Sequence, residues 1–377
     1  MKKRLLLLFV ICCFTACTQK PQIGDAIFVN LDRPEKASLF DYFRSIELIP
    51  LETSSDALVA GISKMIIHQD RYYMLDPIQS IIFVFKKTGE FLNKIDKKGQ
   101  GAGEYTFIQD FNINPFTGNL EVLEPYGAVY VYDLSGDFIE KKRITYPEFR
   151  AVHTLIALNN SLYVCQTDYQ PQKIIYYNMD EQVLLHEEFE EDRDLAAFSF
   201  NPYQYQNDWF FFRPVHPVVY KIGKEQLEVA FQFDFGKYAQ EGRTANFSKE
   251  SERNFTKKIE EMFTQFSYMI QAVRHNNRYV FASLYWKDMD HKANIIYDKV
   301  TGKSKFILDF AENVVFNSYR GEEIIVTDEY ALAISQWADL ETRISREMLT
   351  NDQKEIFEEL VQADMEQNPV LIKYWFK

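Results

Sequence analysis

Between Asp110 and Ile144, apolar and polar positions alternate in four short runs. Phe111–Asn114 is the first, and Pro115–Gly118 turns the chain into Asn119–Glu124. Pro125-Tyr126-Gly127 leads to Ala128–Asp133, and Ser135-Gly136-Asp137 leads to Phe138–Ile144. Leu120 and Val122, then Val129 and Val131, recur with a period of two between clusters of Gly, Pro, Asn and Asp, which predicts an antiparallel meander. So small a sheet cannot bury both faces alone, and the same pattern has to recur elsewhere in the chain.

It recurs. Taking the third strand as the marker, Ile81–Phe85, Val129–Asp133, Ile174–Asn178 and Val218–Ile222 follow one another at intervals of 48, 45 and 44 residues. Asn294–Asp298 and Val370–Tyr374 come after 76 residues each, and removing an insertion of about thirty residues from each long interval restores a period near 46. Four strands per repeat at this period define propeller blades, and six markers predict an all-β, six-bladed β-propeller of four-stranded antiparallel blades with two helical insertions.

The insertions, at about 237–266 and 337–368, carry helical spacing. Phe255, Ile259, Met262, Phe263 and Phe266 form one stripe, and Leu340, Ile344 and Met348 another. Thr350-Asn351-Asp352-Gln353 reads as a capping box opening a further helix with Ile356, Leu360 and Val361. Such helices are expected to pad the outside or a rim of the ring; a lid or docking surface over the central channel is the sharper alternative. The sixth unit has strands near Val314–Phe316 and Glu323–Ile334, then the helices, then Val370–Phe376. It lacks a fourth strand after Lys377. Ser45–Leu51 is a strand without a blade, and is predicted to complete the sixth and remove an exposed edge.

Ahead of these repeats, Lys2-Lys3-Arg4 precedes LLLLFVICCF and then Thr15-Ala16-Cys17. A basic start, an apolar run too short to span a bilayer and small residues before a Cys make an export signal over 1–16. The Cys after Thr-Ala resembles a lipobox, with Phe14 in place of the usual Leu, which implies acylation of Cys17; with the repeats placed as above, a tether is expected over 17–44 and the propeller over 45–377. Thr18-Gln19-Lys20 carries no acidic run of the kind that marks surface display, so the expected address is the outer membrane, facing the periplasm. After removal of the signal only Cys165 remains besides the lipidated Cys, so no disulfide is expected, and Cys165 in LYVCQ reads as a small buried apolar residue.

The formal charge is −13, and −16 without the three basic signal residues. This argues against nucleic acid as a partner and against charge-driven adsorption of the whole molecule to anionic lipid. Aromatic residues make up 16% of the chain, mainly Phe and Tyr, which suits packed sheet surfaces.

Ile46–Thr53 (IELIPLET), the loop Gly99-Gln100-Gly101-Ala102-Gly103-Glu104-Tyr105 before Ile108–Ile113, and Asn368–Ile372 together resemble the bacterial six-bladed β-propeller lipoproteins related to the NHL-repeat proteins. The resemblance covers roughly Ile46 to Lys377, and Ala102 stands where the loop usually has Pro. It implies the fold and an envelope address. Relatives in the wider class include ligand binders, lactonases and lyases.

Gly99–Tyr105 lacks the Gly-Lys-Ser/Thr of a phosphate loop and runs from strand to strand, so it reads as a connector between blades one and two. Its functional reading puts Lys98, Gln100, Glu104 and Tyr105 at the channel mouth. Tyr203, Tyr205, Trp209, Phe210, Phe211, Phe212 and Arg213 form the densest aromatic run. Trp209–Phe212 is expected as the second strand of blade four with alternate rings between blades. Tyr203 and Tyr205, read as a turn, are freer to stack on sugar faces, with Arg213 beside them and Trp286 as a similar candidate. Asp288-Met289-Asp290-His291 and the acidic run Glu187–Asp194 offer metal-type ligands, but match neither an EF-hand nor HExxH and read as solvated turns. The six histidines (68, 153, 186, 216, 275, 291) share no spacing, and no Gly-x-Ser-x-Gly elbow appears.

Taken together, the residues favour a lipid-anchored, non-enzymatic binding or scaffold module for a glycan, peptide or envelope protein. The alternative is a metal-dependent propeller hydrolase or lyase with its site in the channel. A purely structural envelope role is a third reading. No cofactor is identified.

Overall fold

The computed structural model describes residues 26–145, 151–167, 173–188, 202–240, 247–250, 254–312, 325–363 and 367–377. Two strands near the start are spent on other blades: β1 (Ala26–Phe28) and β2 (Phe43–Pro50). Blade one is β3 (Lys64–His68), β4 (Arg71–Asp76), β5 (Ile81–Lys86) and β6 (Phe91–Ile95). Blade two is β7 (Asp110–Ile113), β8 (Leu120–Leu123), β9 (Ala128–Tyr132) and β10 (Phe138–Arg143). Blade three is β11 (Val152–Ala157), β12 (Leu162–Thr167), β13 (Ile174–Asn178) and β14 (Val183–Glu188). Blade four is β15 (Tyr203–Tyr205), β16 (Asp208–Phe212), β17 (Val218–Ile222) and β18 (Leu227–Asp234). Blade five is β19 (Tyr268–His275), β20 (Tyr279–Trp286), β21 (Lys292–Asp298) and β22 (Lys303–Ile307). Blade six is β23 (Ile325–Val326), β24 (Tyr330–Ser335), β25 (Val370–Phe376) and then β2, antiparallel to β25 from Phe43↔Phe376 to Pro50↔Val370. The ring is thus a six-bladed propeller closed by its own N-terminal strand. The stretch Val314–Phe316 lies outside the described residues.

Every marker strand is the third strand of its blade, and the period of two has a specific physical use. Successive side chains point to opposite faces of a strand, and in a propeller both faces are buried, one against each neighbouring blade. Tyr130 and Tyr132 pack between blades one and two, whereas Val129 packs between two and three. Phe210 and Phe212 face blade five, and Phe211 faces blade three. Each fully buried Val, Leu or Phe contributes about 1.5–3 kcal/mol. The ring is therefore held by six apolar inter-blade seams, because no blade alone can cover both its faces.

Helix α1 (Phe255–Gln265) starts at Asn254, whose side chain accepts from the Lys257 N–H. Ile259 and Met262 turn inward over Val215, Met269 and Tyr285, on the rim that carries the second-to-third strand turns of blades four and five. Helices α2 (Leu340–Arg343) and α3 (Asn351–Val361) lie against the outer strand β2 and pad blade six. The capping box expected at Thr350 does not form, since the Thr350 side chain makes no cap bond. Gln353 Oε1 instead accepts from the Leu48 N–H at 2.5 Å, satisfying a donor on the free edge of β2.

Residues 26–44, read from the sequence as part of a tether, are laid along the ring. β1 adds a fifth, parallel strand to β18. Val29 and Leu31 then fill the seam between blades four and five, Glu35 N–H donates to Phe306 O at 2.7 Å, and Ala37 bridges Phe310. The Leu39 N–H donates to Glu312 at 2.9 Å before the chain enters β2.

Candidate functional site

The first strands of the blades line the central channel, and a cavity of about 370 Å³ occupies it. Its walls come from β3, β15, β16, β19, β23 and β24, that is from blades one, four, five and six. It extends from Lys64 and Pro202 to Gln206 and Asp328, which sit in the first-to-second strand turns. Half-buried rings of Tyr205, Trp209 and Tyr330 and exposed Gln204 and Gln206 face it. The volume falls in the lower range of small-ligand pockets.

Each wall has a reason. At the inner end, Lys64 Nζ donates to Asp110 Oδ1 at 2.8 Å, with both side chains largely buried. Its ammonium lies 5.9 Å from the Trp209 ring centre and 5.7 Å from that of Phe111. Asp110 Oδ2 accepts the Leu155 N–H at 2.9 Å, so one carboxylate ties blades one, two and three together. At the outer end, the Tyr205 hydroxyl donates to Asp328 Oδ1 at 2.7 Å, and the Asn277 N–H donates to the same oxygen at 2.9 Å. Burial raises the Asp328 carboxyl, but the Asn277 N–H and the Tyr205 hydroxyl outweigh it and hold it below its ordinary value. Gln206, at φ 54°, holds a left-handed turn conformation that is uncommon for a residue with a side chain, and its amide donates to Tyr205 Oη at 3.0 Å.

Behind this wall sits His275. Tyr203, Tyr205, Phe210 and Phe231 surround its ring edge-on at centroid distances of 4.5–5.6 Å, and Tyr203 Oη lies 2.9 Å from Nδ1. Desolvation, and then the Lys299 charge, hold His275 down to about 4, against the opposing pull of Asp208 and Asp328. Burial, then Arg213, does the same to His216. The unfolded chain takes up these two protons near pH 6.5, before the folded one does. Stability present above that value is therefore expected to fall between pH 6.5 and about 4, by up to about 1.4 kcal/mol per pH unit for each histidine. Urea midpoints across this window check it, and histidine NMR titrations showing His275 and His216 titrating above pH 6 would contradict it.

The structure brings three of the sequence candidates, Tyr203, Tyr205 and Trp209, to the cavity. Tyr203 and Tyr205 are in strand β15 and not in a turn, because they pair with Phe210 and Asp208 of β16. Tyr203 is only 4% exposed, and its ring supports the wall from behind. Arg213 lies in the turn after β16, outside the cavity lining. Lys98, Gln100 and Glu104 are exposed on the connector between blades one and two, where Glu104 Oε2 accepts the Gly101 N–H at 2.8 Å. The connector folds back over the third strand of blade two, where the Tyr132 hydroxyl donates to Gly103 O at 2.8 Å. Tyr105 is fully buried between blades one and two, its hydroxyl donating to Ile95 O at 2.9 Å. Trp286 is buried, edge-on to Tyr238 and Phe306. Cys165 is fully buried between blades two and three, where desolvation raises its thiol.

Lys64, Gln204, Gln206, Arg274, Asp328 and Tyr330 complete the cavity without any motif. Their one signal is position, on first strands, at the start of a second strand and in the turns between, which sequence periodicity marks without showing which side chains face inward. Asp288 and His291 form a tight exposed turn, Nδ1 to Oδ1 2.7 Å. Of the acidic run, Glu187 pairs with Lys173 at 2.8 Å, and residues from 189 on lie outside the described residues. Among the described residues, no group of three or more His, Cys, Asp or Glu is placed to hold a metal ion. None of their helices is long and apolar enough to cross a membrane.

Fold and cavity together define a six-bladed β-propeller with a cavity in its central channel. The chain belongs to the family described as a domain of unknown function, DUF4934, which matches residues 26–374. No curated protein matches it. Among solved structures, it is similar to a protein of Bacteroides fragilis NCTC 9343 described as exported, at 16% identity and a TM-score of 0.67, over 93% of this chain and 99% of that one. It is also similar to a member of the DUF4221 family from Bacteroides vulgatus, at 10% identity and a TM-score of 0.54, over 89% of this chain and 98% of that one. Both likenesses are of fold.

Proposed function

We propose that the protein is an exported, lipid-anchored propeller of the cell envelope, related to the NHL-repeat propellers, whose channel cavity binds a small glycan as a non-enzymatic recognition module. The observation that carries this reading is the cavity wall itself. Tyr205, Trp209 and Tyr330 offer ring faces, and Gln204 and Gln206 offer amides, around about 370 Å³. Ring faces next to amides suit the apolar faces and hydroxyl edges of a sugar. Support for the address comes from the basic and apolar start before Cys17 and from the exported description of the B. fragilis structure. Acylated at Cys17, the chain would sit on the outer membrane facing the periplasm.

Calorimetry of the chain from Thr18 onward against envelope glycans and peptidoglycan fragments tests it. Trp209→Ala is expected to weaken binding by about ten-fold or more, as loss of a central aromatic anchor does. Gln204→Ala, at an exposed position, should weaken it without lowering the melting temperature. Binding of peptides alone, or catalytic turnover of a bound glycan, would overturn the reading.

A further inference from the structure

We propose that the outer edge of blades four and five, where the N-terminal segment joins the ring, is a contact surface for the headgroups of an anionic phospholipid bilayer; the inference rests on the lipid-anchored reading above. A groove of about 480 Å³ runs between β1 and β22, with Phe28, Arg33, Tyr297, Lys303 and Lys305 among its walls. Its cations outnumber its one carboxylate, Glu35, on a molecule whose formal charge is −13. Lys305 has Asp41 near it, 3.4 Å away and half exposed, a contact that surface water weakens.

Two apolar side chains stand out into solvent at the same place. Phe28 is 61% exposed although its neighbour Ile27 is buried, and Val300, in the turn that leads into β22, is 77% exposed. An apolar residue beside cations, with a half-buried Tyr between, is the composition of a membrane-interface contact: rings enter the headgroup boundary while Lys and Arg meet phosphate.

The tether supplies the geometry. Ala26 lines this groove, and Cys17 lies nine residues earlier, a reach of at most about 30 Å even fully extended. An acylated Cys17 therefore holds the groove near the bilayer whatever the orientation of the ring. Each Lys or Arg brought within a Debye length of an anionic surface then strengthens the contact. Such a contact would fix which side of the propeller faces the membrane.

The test separates this surface from acylation. The chain from Thr18 onward, which keeps every described contact, is given an N-terminal hexahistidine and tethered to vesicles through nickel-chelating lipid. The outcome is then independent of Cys17, whose acylation is read separately from the intact mass of protein purified from membranes. Hydrogen exchange is compared on phosphatidylcholine vesicles with and without phosphatidylglycerol. The expected result is exchange slowed about three-fold or more at residues 29–36 and 299–303 on the anionic vesicles only. Lys303→Glu with Lys305→Glu should abolish the difference. Equal exchange on both vesicles, or slowing confined to the turns of other blades, would overturn the proposal.

Discussion

A chain beginning at Leu51 is expected to lose its folded, soluble state, although the four antiparallel strands of every other blade remain encoded; β1 and the seam residues Val29 and Leu31 are lost with β2. The truncation removes β2, the fourth strand of blade six, and leaves the seven-residue edge of β25 unpaired. It also removes Phe43, Ile46, Leu48 and Ile49, each at most 4% exposed. Phe43 alone stacks on Phe376 at 5.0 Å and meets Tyr374 at 5.4 Å. At about 1.5–3 kcal/mol per buried apolar side chain, the four are together worth about 6–12 kcal/mol, comparable with the whole stability of an ordinary domain. Circular dichroism melts and sedimentation of the two chains, beginning at Thr18 and at Leu51, give the answer. A cooperative melt of the shorter chain within a few degrees of the longer one would show that closure by β2 is dispensable. Because the missing piece is a strand, a peptide covering residues 43–50 should partly restore the shorter chain by pairing with β25.

The second large effect is expected at the inner ring. Lys64→Met keeps much of the side-chain volume but leaves Asp110, at 6% exposure, without its cation. Breaking one side of a buried ion pair costs about 3–5 kcal/mol, most of it the penalty of the stranded charge. Asp110→Asn added to Lys64→Met should recover most of that loss, since an amide oxygen can still accept the Leu155 N–H. Urea denaturation of the single and double variants forms the cycle. A single variant within 1 kcal/mol of the parent, by this ~3–5 kcal/mol expectation, would mean that water reaches Asp110 through the channel and solvates it.

Acidification should weaken the protein independently of these two changes, through the caged His275 and His216. Lys64→Met with Asp110→Asn leaves both cages intact and carries no stranded carboxylate, so the histidine-linked loss on acidification should persist in the double variant.

The aromatic segment around Trp209 shows how far sequence carries the site. Its alternation correctly sends Phe210 and Phe211 to opposite blades, because a strand's side chains alternate whatever surrounds them. It does not reveal that Tyr203 turns its hydroxyl inward to His275, seventy-two positions away. The glycine-rich connector gives the opposite lesson. Its composition drew attention to Lys98, Gln100, Glu104 and Tyr105, yet the connector closes on itself through the Gly99 N–H to Tyr105 O and the Tyr105 N–H to Lys97 O. Glycines there serve the chain's own turn.

Blade number, strand order within a blade, the helical insertions and the closing strand were all legible from periodicity and turn residues, since these are local properties of a repeating chain. The cavity was not. Lys64, Tyr205, Trp209, Arg274, Asp328 and Tyr330 come from four blades and meet only because the ring closes. The same holds for residues 26–44: their sequence reads as a spacer, and only the finished ring offers the edges of blades four, five and six against which they lie. Local pattern determined the blades; long-range closure decided what faces the channel, because proximity across a ring has no counterpart in sequence spacing.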